Sequence, residues 1–120
     1  MSREKNKVLL KRLKGKNTIS FLFEKGKNIH SAHLSFKVVQ EEKEDCFYAG
    51  VSVPKRNFKL AVDRNRIKRQ LREALKQNEM SLSFAGCGML LYKSKKHLPT
   101  SILVAETASI FEQLNTKKDN

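Results

Sequence analysis

Acidic residues are scarce in this chain: 12 aspartates and glutamates stand against 25 lysines and arginines, a net charge of +13 and a pI near 10.0. An excess of that size implies an anionic partner, and nucleic acid is the commonest one for a compact basic domain. Tryptophan is absent altogether. A basic helix that lies on a membrane usually sets Trp, Phe or Leu opposite its cations, so this shortage argues against a membrane surface. Long apolar runs are missing too. The N-terminal stretch MSREKNKVLLKRLKGKN holds only a three-residue run, Val8 to Leu10, too short for the core of a signal peptide. No segment approaches the length of a membrane-crossing helix. Cysteine is limited to Cys46 and Cys87, far apart and without a partner at metal-ligand spacing. That pattern reads as reduced thiols in a cytoplasmic protein.

What is present suffices for one domain with one modest core: 120 residues, 39% of them hydrophobic. Residues 1–15 read as a basic flexible arm, 16–115 as a single domain and 116–120 as a tail. Asn17 or Thr18 can cap a short helix that stops at Gly26, a residue suited to the left-handed position after a helix. Ile19, Leu22 and Phe23 share one face of it, while Phe21 points elsewhere. In NIHSAHLSFKVVQ, Leu34, Phe36 and Val38 alternate with Ser35, Lys37 and Val39, the period of a half-buried strand. The polar turn EEKED separates it from CFYAGVSV, where Phe47, Ala49, Val51 and Val53 alternate, and the two read as an antiparallel pair. Pro54 ends the second strand, KRNFKL is a basic connector, and a helix follows from about Ala61 to Gln77. CGMLLYKS fits a buried strand bounded by Gly86 and Gly88. Thr100 or Ser101 can cap a final helix carrying Leu103, Ile110, Phe111 and Leu114. The expectation is an α+β fold, a small two-layer α/β sandwich in the order α-β-β-β-α-β-α.

The stretch AVDRNRIKRQLREAL places five arginines and lysines within positions 64–72, with no glycine or proline to break a helix. Ile67, Leu71, Ala74 and Leu75 form one stripe that docks it. Asn65, Lys68, Arg69, Arg72 and Lys76 project from the opposite side, with Arg64 and Arg66 on the flanks near the N-terminus. Like charges at such spacing destabilise a helix by roughly 0.2–0.5 kcal/mol per pair. The positive end of the helix dipole adds to that cost at Arg64 and Arg66, and Asp63 relieves it only in part. A row this repulsive is expected to be compensated by bound phosphate. Arginine's planar fork grips phosphate and stacks on bases, which suits RNA as well as DNA. Asn65 serves either a base edge or 2′-hydroxyl or a local hydrogen bond at the helix start.

Arg64, Asn65, Arg66, Lys68, Arg69 and Arg72, in RNRIKRQLRE, resemble the signature of the protein component of bacterial ribonuclease P. The context is similar as well: a strand ending GVSVPKR, AV ahead of the motif, and FEKG at 23–26, where the family's first helix ends. The resemblance spans residues 8–115. It implies a left-handed crossover through the basic helix, an exception to the usual hand. It also implies a role in removing the 5′ leader from precursor tRNA. Hydrolysis would fall to the catalytic RNA subunit, which binds most of the Mg2+, and the protein alone would bind no cofactor. The implied partners are that RNA, in a one-to-one ribonucleoprotein with a monomeric protein, and precursor tRNA; no membrane is involved. The basic helix would face the catalytic RNA.

A cleft between the first helix and the sheet would hold the single-stranded leader. Phe23 matches a family aromatic on which a base can stack, and Ile19 replaces another one turn earlier. The family's strand aromatic falls on Lys37 in an ungapped reading, or on Phe36 with a one-residue shift; alternation favours Lys37 on the open face. Lys55 and Arg56 would hold leader phosphates. Phe58 stands where relatives often carry glycine, which suggests a different path for the connector.

Protein-borne catalysis has little support. A metal-free ribonuclease needs a base and an acid near one phosphate, yet His30 and His33 on a strand would point to opposite faces, and with His97 they read as surface or packing residues. A two-metal nuclease needs clustered carboxylates. Glu41, Glu42, Glu44 and Asp45 lie on a turn that reads as solvated, with Lys43 among them. Neither catalytic residues nor a metal site is expected in the protein. The alternatives are a ribosomal or other structural RNA-binding protein, and a DNA-binding module. The strands around the helix do not suggest a helix-turn-helix, which ranks the DNA reading last.

Overall fold

The computed structural model describes residues 8–13, 16–41 and 45–117. The elements are β1 (Leu9–Arg12), α1 (Lys16–Lys25), β2 (Lys27–His30), β3 (Leu34–Gln40), β4 (Cys46–Ser52), α2 (Ala61–Gln77), β5 (Gly86–Tyr92) and α3 (Thr100–Lys117), with a 3-10 turn at Glu79–Ser81. The strands form one five-stranded sheet in the order β1-β4-β5-β3-β2. The expected α+β class is the observed one.

The N-terminal stretch corrects the sequence reading. Residues 9–12, assigned to a flexible arm, form β1 parallel to β4, with Leu10 opposite Phe47 and Arg12 opposite Ala49. Val8 is buried, Leu10 packs against the core, and the Leu10 N–H donates to Glu79 Oε2 at 3.2 Å. Burial and a satisfied edge amide outweigh the charge that made the segment look unstructured. The rest of the arm assignment, residues 1–7, 14 and 15, lies outside the described residues, as do 118–120 and Glu42, Lys43 and Glu44 of the acidic turn. Helix α3 runs through Lys117, two residues into the stretch read as a tail.

The expected β3–β4 hairpin does not form. β5 lies between them, antiparallel to β3 and parallel to β4, and β3 pairs on its other side with β2, Ile29 opposite Phe36. Alternation reveals which face a strand buries and is silent about its neighbour. On the faces themselves it is right: Leu34, Phe36 and Val38 are buried. Phe36, Phe47, Phe84 and Phe111 close a cycle of rings with centroids 5.8, 5.1, 5.5 and 5.9 Å apart, tilted and edge-on contacts that aromatic quadrupoles favour. Gly88 sits inside β5 and makes room for them. A Cβ there would lie 2.7 Å from Phe36 Cζ and 2.8 Å from Phe47 Cζ.

Helices α2 and α3 cover this face with the residues that their spacing predicts: Ile67, Leu71, Ala74 and Leu75, and Leu103, Ile110, Phe111 and Leu114, all buried. α1 lies across the opposite face. Lys37, the residue after buried Phe36, reaches the ring of Phe23 on α1, and Leu22 is the α1 side chain that is fully buried. Gly26 follows α1, but the left-handed reading fails. Among the described residues only Gly86 has positive φ, at 134°. Gly26 is required by close approach instead: a Cβ would meet the Leu22 carbonyl oxygen at 2.5 Å and Lys37 Cγ at 2.7 Å. The proposed caps shift as well. α1 starts at Lys16, so Asn17 and Thr18 lie within its first turn. At α3 the Pro99 carbonyl accepts the N–H of Ile102 and of Leu103.

The turn between β2 and β3 is pinned to α3 through one carboxylate. Glu106 Oε1 accepts the Ser31 hydroxyl at 2.5 Å and the His33 N–H at 2.8 Å, and Oε2 lies 2.6 Å from His33 Nδ1. Burial raises this carboxyl's pKa, but the hydrogen bonds from Ser31 and His33 prevail and hold it below the ordinary value. A depressed folded pKa contributes stability that is fully present above the unfolded pKa, and loses it as pH falls through the folded one. The melting temperatures of the native chain and of Glu106→Gln should therefore differ most at neutral pH. The gap should close as pH falls below the ordinary glutamate value of 4.5; thermal melts across that range would show it, and a gap constant into strong acid would contradict it.

Candidate nucleic-acid interface

Docking of the apolar stripe of α2 fixes where its cations go. Asn65, Arg66, Arg69 and Arg72 are exposed, and Arg64 and Lys68 are half-buried. No side chain caps the helix start, where Leu60 stands at the N-cap, and Asp63 is the acid of the first turn. Arg64 turns back instead. Its Nη1 donates to the carbonyls of Phe58 at 2.8 Å and Lys59 at 2.9 Å, tying the connector to the helix. Phe58 holds that connector from below, buried against Tyr92 and His97 with ring centroids 5.8 and 5.0 Å away. Lys55 and Arg56 stand exposed in the turn after β4.

Among the described residues, none of the cations at 64, 66, 68, 69 and 72 forms an ion pair with a carboxylate. The nearby acids are engaged elsewhere. Glu73 accepts the Gln77 amide at 2.9 Å, and Asp63 lies 3.9 Å from His97 Nε2. The Asn65 side-chain amide makes no hydrogen bond among the described residues, so the local bond considered for it is not formed. Partial burial, and then the neighbouring Arg12 guanidinium, pull the Arg72 pKa below the ordinary arginine value. Arg72 nevertheless stays charged, since arginine does not deprotonate in proteins.

On the other face of the sheet, Phe23 is 46% exposed. Lys37 Nζ lies 5.6 Å from its ring centroid and 3.5 Å from its carbonyl oxygen, a cation–π contact at the edge of a basic surface. Ile19, one turn earlier, lines a cavity of about 420 Å³ together with Gly50 and Met89. Phe36 does not belong to this surface. It is fully buried in the ring cycle, so the one-residue shift is ruled out and the strand position facing α1 is Lys37. Sequence reasoning missed Arg12 and passed over Lys76 as a site residue; both line the cavity beside Arg72. Arg12 was hidden because a four-residue edge strand carries too little periodicity to stand out from a basic arm. The histidines fall on separate elements: His30 Nδ1 lies 3.5 Å from Lys93 Nζ, His33 joins Glu106, and His97 packs on Phe58.

The family model for ribonuclease P matches residues 10–115. The chain belongs to the ribonuclease P protein family. It is thus a protein subunit of ribonuclease P, an RNA-binding component of a ribonucleoprotein that contains an RNA subunit and acts in tRNA processing. Its fold is that of solved family members. The RNase P protein of Staphylococcus aureus superposes with a TM-score of 0.73 at 22% identity, covering 86% of this chain and 94% of that one. The RNase P protein of Thermotoga maritima gives 0.75 at 16% identity, covering 86% and 96%. No curated protein sequence matches the chain.

For the RNase P protein, Arg69→Ala and Arg72→Ala should each weaken RNA binding and flatten its salt dependence, the log–log slope falling by roughly 0.7–0.9 per lost phosphate contact. Filter binding across a salt series reads both quantities. Variants with native affinity and slope would place the contact elsewhere.

Proposed function

We propose that this subunit supplies binding and positioning, while its RNA partner hydrolyses precursor tRNA to release the 5′ leader. The supporting observation is the exposed cation row of α2, which has no internal carboxylate partner among the described residues and therefore suits the phosphates of the catalytic RNA. Mg2+ is held through carboxylates and phosphate oxygens. Among the described residues no three histidine, cysteine or acidic side chains converge, and Glu106 is committed to Ser31 and His33. In this reading the ion is bound mainly by the RNA subunit and none by the protein alone. The particle is read as one protein and one RNA, in the cytoplasm, where Cys46 and Cys87, not joined in a disulfide, stay reduced.

The face bearing α1 is the leader surface in this reading. Phe23 offers a half-exposed ring to an unstacked base, Lys37 beside it supplies charge, and Ile19 extends the apolar strip. Lys55 and Arg56 provide phosphate contacts beyond β4. The resulting division is α2 toward the catalytic RNA and α1 with the open sheet face toward the substrate.

Adding the chain to the catalytic RNA should restore cleavage of precursor tRNA at low Mg2+, with no cleavage by the chain alone. Activity of the RNA left unchanged by the protein would defeat the proposal. Phe23→Ala should lower affinity for precursors with long leaders by on the order of 1–3 kcal/mol while sparing mature tRNA. Equal losses for both substrates would remove the leader assignment.

A further inference from the structure

Three successive carbonyls lead into α2, and Arg64 serves all of them. Its Nη1 donates to the carbonyls of Phe58 at 2.8 Å and Lys59 at 2.9 Å. Its backbone N–H, like that of Asp63, donates to the Leu60 carbonyl at 3.2 Å. Both hydrogens of Nη1 are thereby used. Arginine grips a phosphate through two parallel N–H groups, and the fork made by Nη1 and Nη2 is closed to that use. Arg64 is also half-buried, whereas Arg66, Arg69 and Arg72 are exposed. Near the helix start the dipole disfavours a cation, and the two carbonyl oxygens offset that locally.

The segment that Arg64 holds, residues 54–60, carries the exposed Lys55 and Arg56. It begins in a turn where the Pro54 carbonyl accepts the N–H of Asn57 at 3.2 Å and of Phe58 at 3.4 Å. Midway, the buried Phe58 ring rests on Tyr92 and His97. Packing of that kind has no direction, whereas the paired bonds from Arg64 set the course of the backbone. We propose that Arg64 is a positioning residue: through the carbonyls of Phe58 and Lys59 it sets where Lys55 and Arg56 meet RNA, and it makes no phosphate contact of its own. This inference rests on the reading of Lys55 and Arg56 as leader contacts. It separates the first cation of the α2 row from those that follow, which stay free to meet phosphate.

A double-mutant cycle in the particle reassembled from the full chain and its RNA provides the test. Arg64→Ala should raise KM for leader-bearing precursor roughly tenfold, the scale of one charge-assisted hydrogen bond, and leave kcat unchanged. The paired change Lys55→Ala with Arg56→Ala should raise KM at least as far. Adding Arg64→Ala to that pair should raise it no further, because Arg64 acts only through those two side chains. Arg64→Lys keeps the charge but loses the planar fork, and it should behave as Arg64→Ala does. In the RNA-free chain both Arg64 variants should exchange the amide hydrogens of Asn57 and Phe58 faster, while Leu90 in the core keeps its native rate. The salt slope for binding the catalytic RNA should stay native in both, where a lost phosphate contact would lower it by roughly 0.7–0.9. Additive losses in the cycle, a native KM in Arg64→Lys, a lowered slope, or native exchange at Asn57 and Phe58 overturns the proposal. Each of these leaves the leader reading standing as long as the Lys55 and Arg56 changes raise KM. A native KM in that paired variant would instead sink the leader reading, and the proposal with it.

Discussion

Mutual repulsion along α2 is the constraint around which the molecule is arranged. Arg64, Arg66, Lys68, Arg69 and Arg72 lie within nine residues of one helix, and the acids near them are turned to Gln77 and His97. Each like-charged pair costs on the order of a few tenths of a kcal/mol. Burial of Ile67, Leu71 and Leu75 contributes roughly 1.5–3 kcal/mol per side chain. The apolar stripe therefore wins easily, and the helix stays docked with its charges unneutralised. The fold can hold this row because it anchors the opposite side of the helix in the Phe36–Phe47–Phe84–Phe111 core.

Topology turns that helix into a hub. α2 links β4 to β5, which are adjacent and parallel, so its ends are tied to the middle of the sheet. Arg64 clamps the connector through the carbonyls of Phe58 and Lys59. Gln70 reaches across to Leu98 and Thr100 at the start of α3. Further along, Arg72 and Lys76 meet β1 and the α1 side of the sheet around one cavity. The basic helix and the surface around Phe23 are thus linked through a shared seam. This fits a subunit that lies between two stretches of RNA.

Much of this was legible in the residues, where local spacing decides. The stripe of α2, its limits, the four buried positions of α3 and the inward set of β3 all follow from periods of 3.6 and 2, because burial acts on each element one face at a time. Long-range choices were not. The acidic turn after β3 suggested a hairpin, but whether β4 pairs with β3 or β5 depends on contacts distant in sequence. β1 was lost in its own charge, and with it Arg12. Gly26 carries a typical helix-ending identity for a different reason, the close approach of Leu22 and Lys37. The resemblance to a family placed the basic motif, and strand alternation already favoured Lys37 over Phe36 on the open face, in agreement with the full burial of Phe36.

The most direct measurement is the thermal stability of the RNA-free chain as sodium chloride rises from about 0.01 M to about 0.1 M, over which the screening length falls from roughly 30 Å to roughly 10 Å. If uncompensated repulsion along α2 and at its seam with β1 dominates the surface electrostatics, screening relieves it and the melting temperature rises. A melting temperature that falls over the same range would mean that the cations are already satisfied by carboxylates of the chain, and would contradict the account.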